Sequence, residues 1–278
     1  MGANSAARRL VKKALYPVLN EHTYVYFQAL AKALDIRRGR WSEPELDLLP
    51  AAVRAGETAL DVGANYGLYS YHLSRVGGVR VYAFEPVPFT FRALSMVARL
   101  LRFRDVQLVE KGCSDRRGRI TFTVPVQASG AMAAGQAYIG GRDDTREGRE
   151  RQVRWAATRD VTAEVVALDE FLPRVEGLSL IKCDIEGAEL LCFRGAERLI
   201  GEHLPTVICE INPWFLEGFG IKLEGLLGFF EGRGYRLYRY VEEGARRRLR
   251  EVAADEVEED NYVFIHPSRG ERFKEFLA

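Results

Sequence analysis

The chain is poor in the residues that most often announce a function. It has only four histidines, and none is well placed for catalysis: His22, His203 and His266 lie away from the glycine turn at 63–67, and His72 falls on the helix after it. Its four cysteines, Cys113, Cys183, Cys192 and Cys209, make no Cys-x-x-Cys pair and no zinc spacing. Three of them lie in or beside apolar stretches and read as small buried hydrophobes, which suits a reducing cytosol. No apolar run approaches the length of a membrane span. The opening Met1-Gly-Ala-Asn-Ser-Ala6 lacks a signal-peptide core, and Ala6 departs from the myristoylation pattern. A cytoplasmic location is the expectation. Forty Lys and Arg against 39 acids leave a net charge of +1, which gives no reason to expect a nucleic-acid partner. Repeats and low-complexity tracts are absent too. At 278 residues and 47% hydrophobic content, the sequence fits one large α/β domain with additions.

What is present centres on Glu57-Thr-Ala-Leu-Asp-Val-Gly-Ala-Asn-Tyr-Gly-Leu-Tyr-Ser70. Thr58 to Val62 has the length of a buried strand, Gly63, Asn65 and Gly67 break it, and Leu68 to Val76 resumes with helical spacing. Strand, glycine turn and helix form a cradle for a nucleotide-like ligand, with unpaired N–H groups at the helix start. A second strand, Val79 to Phe84, ends in Glu85, placed to accept hydrogen bonds from ribose hydroxyls. The dinucleotide pattern Gly-x-Gly-x-x-Gly is incomplete here, because Asn65 holds its centre and no glycine follows at 68 to 70. Asp61 at the strand end repels a pyrophosphate and welcomes a sulfonium, which favours S-adenosylmethionine over NAD. An ordinary tight turn is the plainer alternative, but the acid 22 positions after Gly63 argues for a nucleoside.

The second centre is Leu178-Ser-Leu-Ile-Lys-Cys-Asp-Ile-Glu-Gly-Ala-Glu189. A buried strand carries Asp184 at its carboxyl end, where open parallel sheets bind ligands. Asp184, Glu186 and Glu189 can hold a divalent cation, orient a hydroxyl or act as a base. Glu189 also reads simply as an acid at a helix start. Thr206 to Ile211 is a further strand with Glu210 near its end. Pro86 to Leu101 reads as a helix, Val106 to Gly112 and Arg119 to Pro125 as strands, and Val153 to Leu168 as one or two more. Gly112 and Cys113 would face an adenine. Leu223 to Phe230 is a helix, Tyr235 to Tyr240 and Asn261 to Ile265 form a closing hairpin, and the charged stretch Glu242 to Asp260 reads as solvated tip and loop. Residues 126–150, rich in small residues and then in charge, form either a lid or acceptor loop or a passive insertion. Residues 6 to 35 read as two helical segments broken near Pro17, with a basic face at Arg8, Arg9, Lys12 and Lys13. Such an extension covers its own domain, builds a dimer interface, caps the active site or lies on a membrane surface.

Together these stretches resemble the FkbM family of S-adenosylmethionine-dependent methyltransferases. The likeness rests on Leu60-Asp-Val-Gly-Ala-Asn-Tyr-Gly67, Phe84-Glu-Pro86, Leu168-Asp-Glu-Phe171, and Ile181-Lys-Cys-Asp-Ile-Glu-Gly-Ala-Glu189 with Arg194-Gly-Ala196, and runs from about Glu57 to Tyr240. It implies a class I methyltransferase (Rossmann-like) fold: a seven-stranded, mostly parallel sheet with an antiparallel edge hairpin. Residues 51–278 would form that domain and residues 1–50 an N-terminal helical extension through which copies can associate. It implies O-methylation of a hydroxyl on a sugar or natural product. Carried over by position, Asp61, Gly63, Asn65 and Gly67 line the methionine part of the cofactor and Glu85 takes the ribose, while Tyr66 and Pro86, inside the same motifs, join the cofactor-binding set with Gly112 and Cys113. Asp184 and Glu186 lie beside the transferable methyl, Asp184 as a further member of the cofactor-binding set. Asp184, Glu186 and Glu210 are the catalytic candidates, Asp184 and Glu186 the metal candidates. Cys183 stands where the family usually has an aliphatic residue. A nicotinamide oxidoreductase on a similar sheet, which NAD binding would reveal, and a non-catalytic scaffold are the alternatives.

Overall fold

The computed structural model describes residues 21–126, 138–139, 157–243 and 246–277. At its centre is β1 (Thr58–Val62), every residue of which is buried. It runs parallel to β2 (Arg80–Phe84) on one side and β8 (Leu178–Cys183) on the other, with Leu60 opposite Tyr82 and Ile181. β3 (Val106–Val109) extends the parallel sheet beyond β2, and β9 (Thr206–Ile211) extends it beyond β8. The far edge is antiparallel: β12 (Asp260–Ile265) pairs with β9, β10 (Arg236–Glu243) with β12, and β11 (Arg246–Glu251) with β10.

The order β11-β10-β12-β9-β8-β1-β2-β3 is the class I methyltransferase arrangement with an additional strand at its edge. Eight strands replace the expected seven, because Arg246–Glu251 is a strand and not part of a solvated loop. Its only apolar side chain, Leu249, is buried, while Arg247 pairs with Glu242 and Asp47 and Arg250 with Glu256. Leu249 anchors this edge strand to the core, and the charged side chains around it blunt the exposed edge. A smaller sheet, ordered β4-β7-β5-β6, adds β4 (Gly112–Cys113), β5 (Gly118–Val126), β6 (Tyr138–Ile139) and β7 (Ala157–Val166). Most of the expected 126–150 loop lies outside the described residues, as does the segment before Glu21.

Helices cover both faces of the large sheet. On one side lie α1 (Glu21–Arg37), the short α2 (Leu49–Ala52), α3 (Leu68–Val76) and α4 (Pro88–Leu101), packed on Ala59, Val81, Leu180 and Ile208. On the other, α5 (Leu168–Phe171), α6 (Glu189–Arg194), α7 (Glu197–His203), α8 (Pro213–Gly218) and α9 (Leu223–Glu231) pack on Leu60, Val62, Ile181, Cys183, Val207 and Cys209. A last short helix, α10 (Lys274–Leu277), ends the described chain. Adjacent strand residues thus serve opposite layers, as a period of two requires. All four cysteines are buried and free of disulfides. α4 starts at Pro88, two residues later than the spacing suggests. Val87 is held extended (ψ 115°) by the following proline, whose own missing N–H costs nothing in a first turn. No described helix is long and apolar enough to cross a membrane.

Candidate active site

The carboxyl ends of β1 and β8 lie side by side, and the Asp184 N–H donates to the Val62 carbonyl at 3.0 Å. The chain then turns at Gly63, with φ +81°. A Cβ at this position would stand 1.9 Å from the Asp184 carbonyl oxygen, so only glycine fits. Gly63 and Ala64 donate to the Phe84 carbonyl, fixing the turn against β2. Asn65 follows with φ +50°, and its N–H donates to Glu85 Oε2 at 3.1 Å. Its side-chain Oδ1 is buried without a protein partner. The other Glu85 oxygen accepts from the Val87 N–H at 2.9 Å. Burial pushes the Glu85 carboxyl up to about 7, against the pull of those two N–H groups. Each of its oxygens keeps a lone pair for a ligand hydroxyl.

The turn after β8 is as constrained. Glu186 has φ +56° and Gly187 φ +103°, and a Cβ on Gly187 would meet the Phe215 carbonyl oxygen at 2.4 Å. Glu189 is more than a surface acid at a helix start: it is buried, and its Oε1 accepts the N–H groups of Ile185 and Gly187, both at 3.1 Å. That staple presents Asp184 and Glu186 to the cleft, where Glu210 from the end of β9 joins them. One oxygen from each of Asp184, Glu186 and Glu210 lies within 4.8 Å of the others. Burial, then the Asp184 charge, raises Glu186 to about 8, and the same two causes raise Glu210 well above the carboxylate range. Lys182 lies behind them, 2% exposed, with Nζ 3.6 Å from Asp184 Oδ2 and donating to Asn261 Oδ1 at 3.0 Å. Burial opposes its charge, but Asp184, Glu43 and Glu210 outweigh burial and hold its pKa raised.

Gly63, Asn65, Glu85, Pro86, Asp184, Glu186 and Glu210 line one cavity of about 240 Å³. The other expected residues stand outside that lining. Asp61 turns toward α3, where its Oδ2 accepts from Ser70 N at 2.9 Å and Ser70 Oγ at 2.5 Å, and burial raises it to about 6. Asp61 lies two residues from Ala59 and so shares its face, away from the open strand end. Tyr66 is buried and donates to Gln28 Oε1. Gly67 precedes α3 with φ +82°, tight against Leu94 and Phe103. Gly112 and Cys113 pair with β7 as part of the small sheet. Val87, Phe122 and Ile185 also line the cavity, though sequence reasoning missed them. Phe122 comes from the small sheet, and its one signal is the alternation Ile120, Phe122, Val124, which does not say what it faces.

The profile of the Methyltransferase FkbM domain matches residues 61–237, spanning both turns and the three acids between which the cavity opens. The chain belongs to the FkbM methyltransferase family. This FkbM family member is 24% identical over 162 residues to Methyltransferase 1 of Beauveria bassiana (strain ARSEF 2860), a match covering 55% of the chain and 63% of that relative. It is 27% identical over 199 residues to Methyltransferase sdnD of Sordaria araneosa, covering 65% of the chain and 74% of the relative. The first match thus spans less than two thirds of the relative's own length. Among solved structures, a methyltransferase FkbM from Methylobacillus flagellatus KT aligns with a TM-score of 0.45 and 17% identity, covering 76% of this chain and 43% of that one.

Proposed function

We propose that this chain is an S-adenosylmethionine-dependent methyltransferase acting on a hydroxyl of a small-molecule or glycan acceptor, with residues 51–278 as the transferase domain and the preceding residues as an extension. The observation that carries the reading is the junction of the two strand ends: the Gly63 cradle and the Asp184–Glu186–Glu210 acids share one cavity. The cradle suits the cofactor. The turn at Gly63 brings the cradle against the end of β8, Asn65 Oδ1 waits there unpartnered, and Glu85 offers acceptors for ribose hydroxyls. When bound, the cofactor supplies a sulfonium methyl already activated for transfer.

The remaining chemistry falls to the chain. An alcohol is almost wholly protonated at neutral pH, so its proton must leave as the new bond forms. Asp184, half-exposed in the cleft and beside Lys182, is the base in this reading, and a positioned base contributes typically ~10²–10⁴-fold. Glu186, raised to about 8, is largely protonated near neutrality and can donate a hydrogen bond to the acceptor. Holding the acceptor oxygen in line contributes up to ~7–11 kcal/mol from orientation. A metal-assisted route is the second reading, favoured by the three oxygens within 4.8 Å of one another. Asp184, Glu186 and Glu210 would hold the divalent cation, which would acidify the hydroxyl.

The test is calorimetric binding of S-adenosylmethionine and its demethylated product, with NAD as control, followed by mass-spectrometric screening of hydroxyl acceptors. Binding at micromolar concentration, lost in Gly63→Val, with no NAD binding, is expected. NAD binding in place of the methionine cofactor would overturn the reading. Loss of turnover in EDTA with recovery in Mg²⁺ selects the metal route.

A further inference from the structure

We propose that the face built by α1 and α4 docks on an anionic lipid surface. The two helices pack along each other, with Val25, Ala29, Ala33 and Ile36 turned inward. Their outer side is unusual. Among the described residues the exposed large apolar side chains are Tyr26, Phe27, Leu30, Leu34, Leu100 and Leu277, so all but the last lie on these two helices. Tyr26 is 63% exposed and Leu100 52%. Phe27, Leu30 and Leu34 follow helical spacing and form one stripe. An apolar groove of about 380 Å³ runs between this stripe and Met96, Arg99 and Leu100 of α4. A continuous apolar patch of this kind marks an interaction surface.

Charge identifies the partner. The first forty residues carry eight Lys and Arg against two acids, Glu21 and Asp35, and Asp35 is buried. Residues 88–104 carry Arg92, Arg99, Arg102 and Arg104 and no acid. The rest of the chain therefore holds 28 bases against 37 acids, and the near-zero net charge conceals a segregated molecule. Arg99 lines the groove, and Arg37, Arg38, Arg40, Arg102 and Arg104 are exposed at or just past the carboxyl ends of α1 and α4. An aromatic and aliphatic centre with a rim of arginines matches the interface of a bilayer with anionic headgroups. A second copy of the chain fits less well, because a two-fold contact would set this arginine rim against itself. Four of those eight bases, Arg8, Arg9, Lys12 and Lys13, precede the described residues, and no acid accompanies them there.

Co-sedimentation of the full chain with vesicles tests this. The expected result is binding to phosphatidylcholine vesicles doped with phosphatidylglycerol, at least about tenfold stronger than to pure phosphatidylcholine, and weakened by salt as screening requires. Leu30→Gln with Leu100→Gln, and separately Arg99→Glu with Arg102→Glu, should each cut the bound fraction at least about fivefold with the melting temperature unchanged. No binding to anionic vesicles at low salt, or equal binding to neutral ones, overturns the proposal. So does a light-scattering dimer that the Leu30 and Leu100 changes dissociate. Retention by single-stranded RNA but not by vesicles points to nucleic acid and overturns it too. Carbene labelling without vesicles that leaves Tyr26 and Phe27 unmodified shows the patch covered by the chain itself, with the same consequence.

Discussion

Five carboxyls in and behind the cleft sit above their ordinary range because they are buried: Asp61 at about 6, Glu85 and Glu189 at about 7, Glu186 at about 8, and Glu210 higher still. The folded state holds protons that the unfolded chain has already released between roughly pH 4 and 8. Stability from these groups is complete below the unfolded pKa and is lost as pH rises through the folded values, at about 1.4 kcal/mol per pKa unit. The ligand-free protein should therefore melt at a lower temperature at about pH 8 than at about pH 5. Calorimetry showing the opposite slope would mean these acids are ionised in the fold. In catalysis, Asp184→Asn should lower turnover by at least ~10²-fold with cofactor affinity nearly unchanged. Lys182→Met should lower turnover with cofactor affinity nearly unchanged, because it removes the cation 3.6 Å from Asp184 Oδ2. Unchanged turnover would reduce Lys182 to a packing role. Glu85→Ala removes charge-assisted hydrogen bonds and should weaken cofactor binding at least about tenfold by titration calorimetry.

Elements were legible in proportion to how much apolar burial defined them. Thr58–Val62, Leu68–Val76 and Leu178–Cys183 appear in the structure with the bounds their patterns suggest, since both layers demand buried residues there. β11 was not legible, because Arg-Arg-Arg-Leu-Arg-Glu offers one apolar side chain and its partners Asp47 and Glu242 are set by the fold. The two kinds of support should differ in energy. Leu249→Ala should cost ~2–5 kcal/mol of unfolding free energy in urea, as a buried leucine does, and Arg247→Ala far less, as for an exposed ion pair. Equal costs would show that charge carries the strand. Acids at strand ends were only partly legible. Asp61 and Asp184 look alike in sequence, but one lies within its strand facing α3 and the other lies past its strand in the cleft.

At the scale of the molecule, the small sheet reaches the cleft through Phe122, and its strand β5 leads directly into residues 127–137. We expect those residues to meet the acceptor. Replacing 128–148 with a short Gly-Ser linker should leave cofactor affinity within about threefold and abolish transfer. Full activity after that change would make the segment a passive insertion.

The contact between position 63 and the Asp184 carbonyl also bears on how this gene can drift. The obstacle to any side chain at 63 is backbone, 1.9 Å away, so no trimming of a neighbour can relieve it. A compensating change would have to move the end of β8, beside which stands the acid we propose as the base. Position 63 is thus constrained by the path of the chain at 184 and not by the side chain that 184 carries. In a saturation library selected for activity, position 63 should leave a single survivor, and no second-site suppressor should be recovered anywhere in the gene.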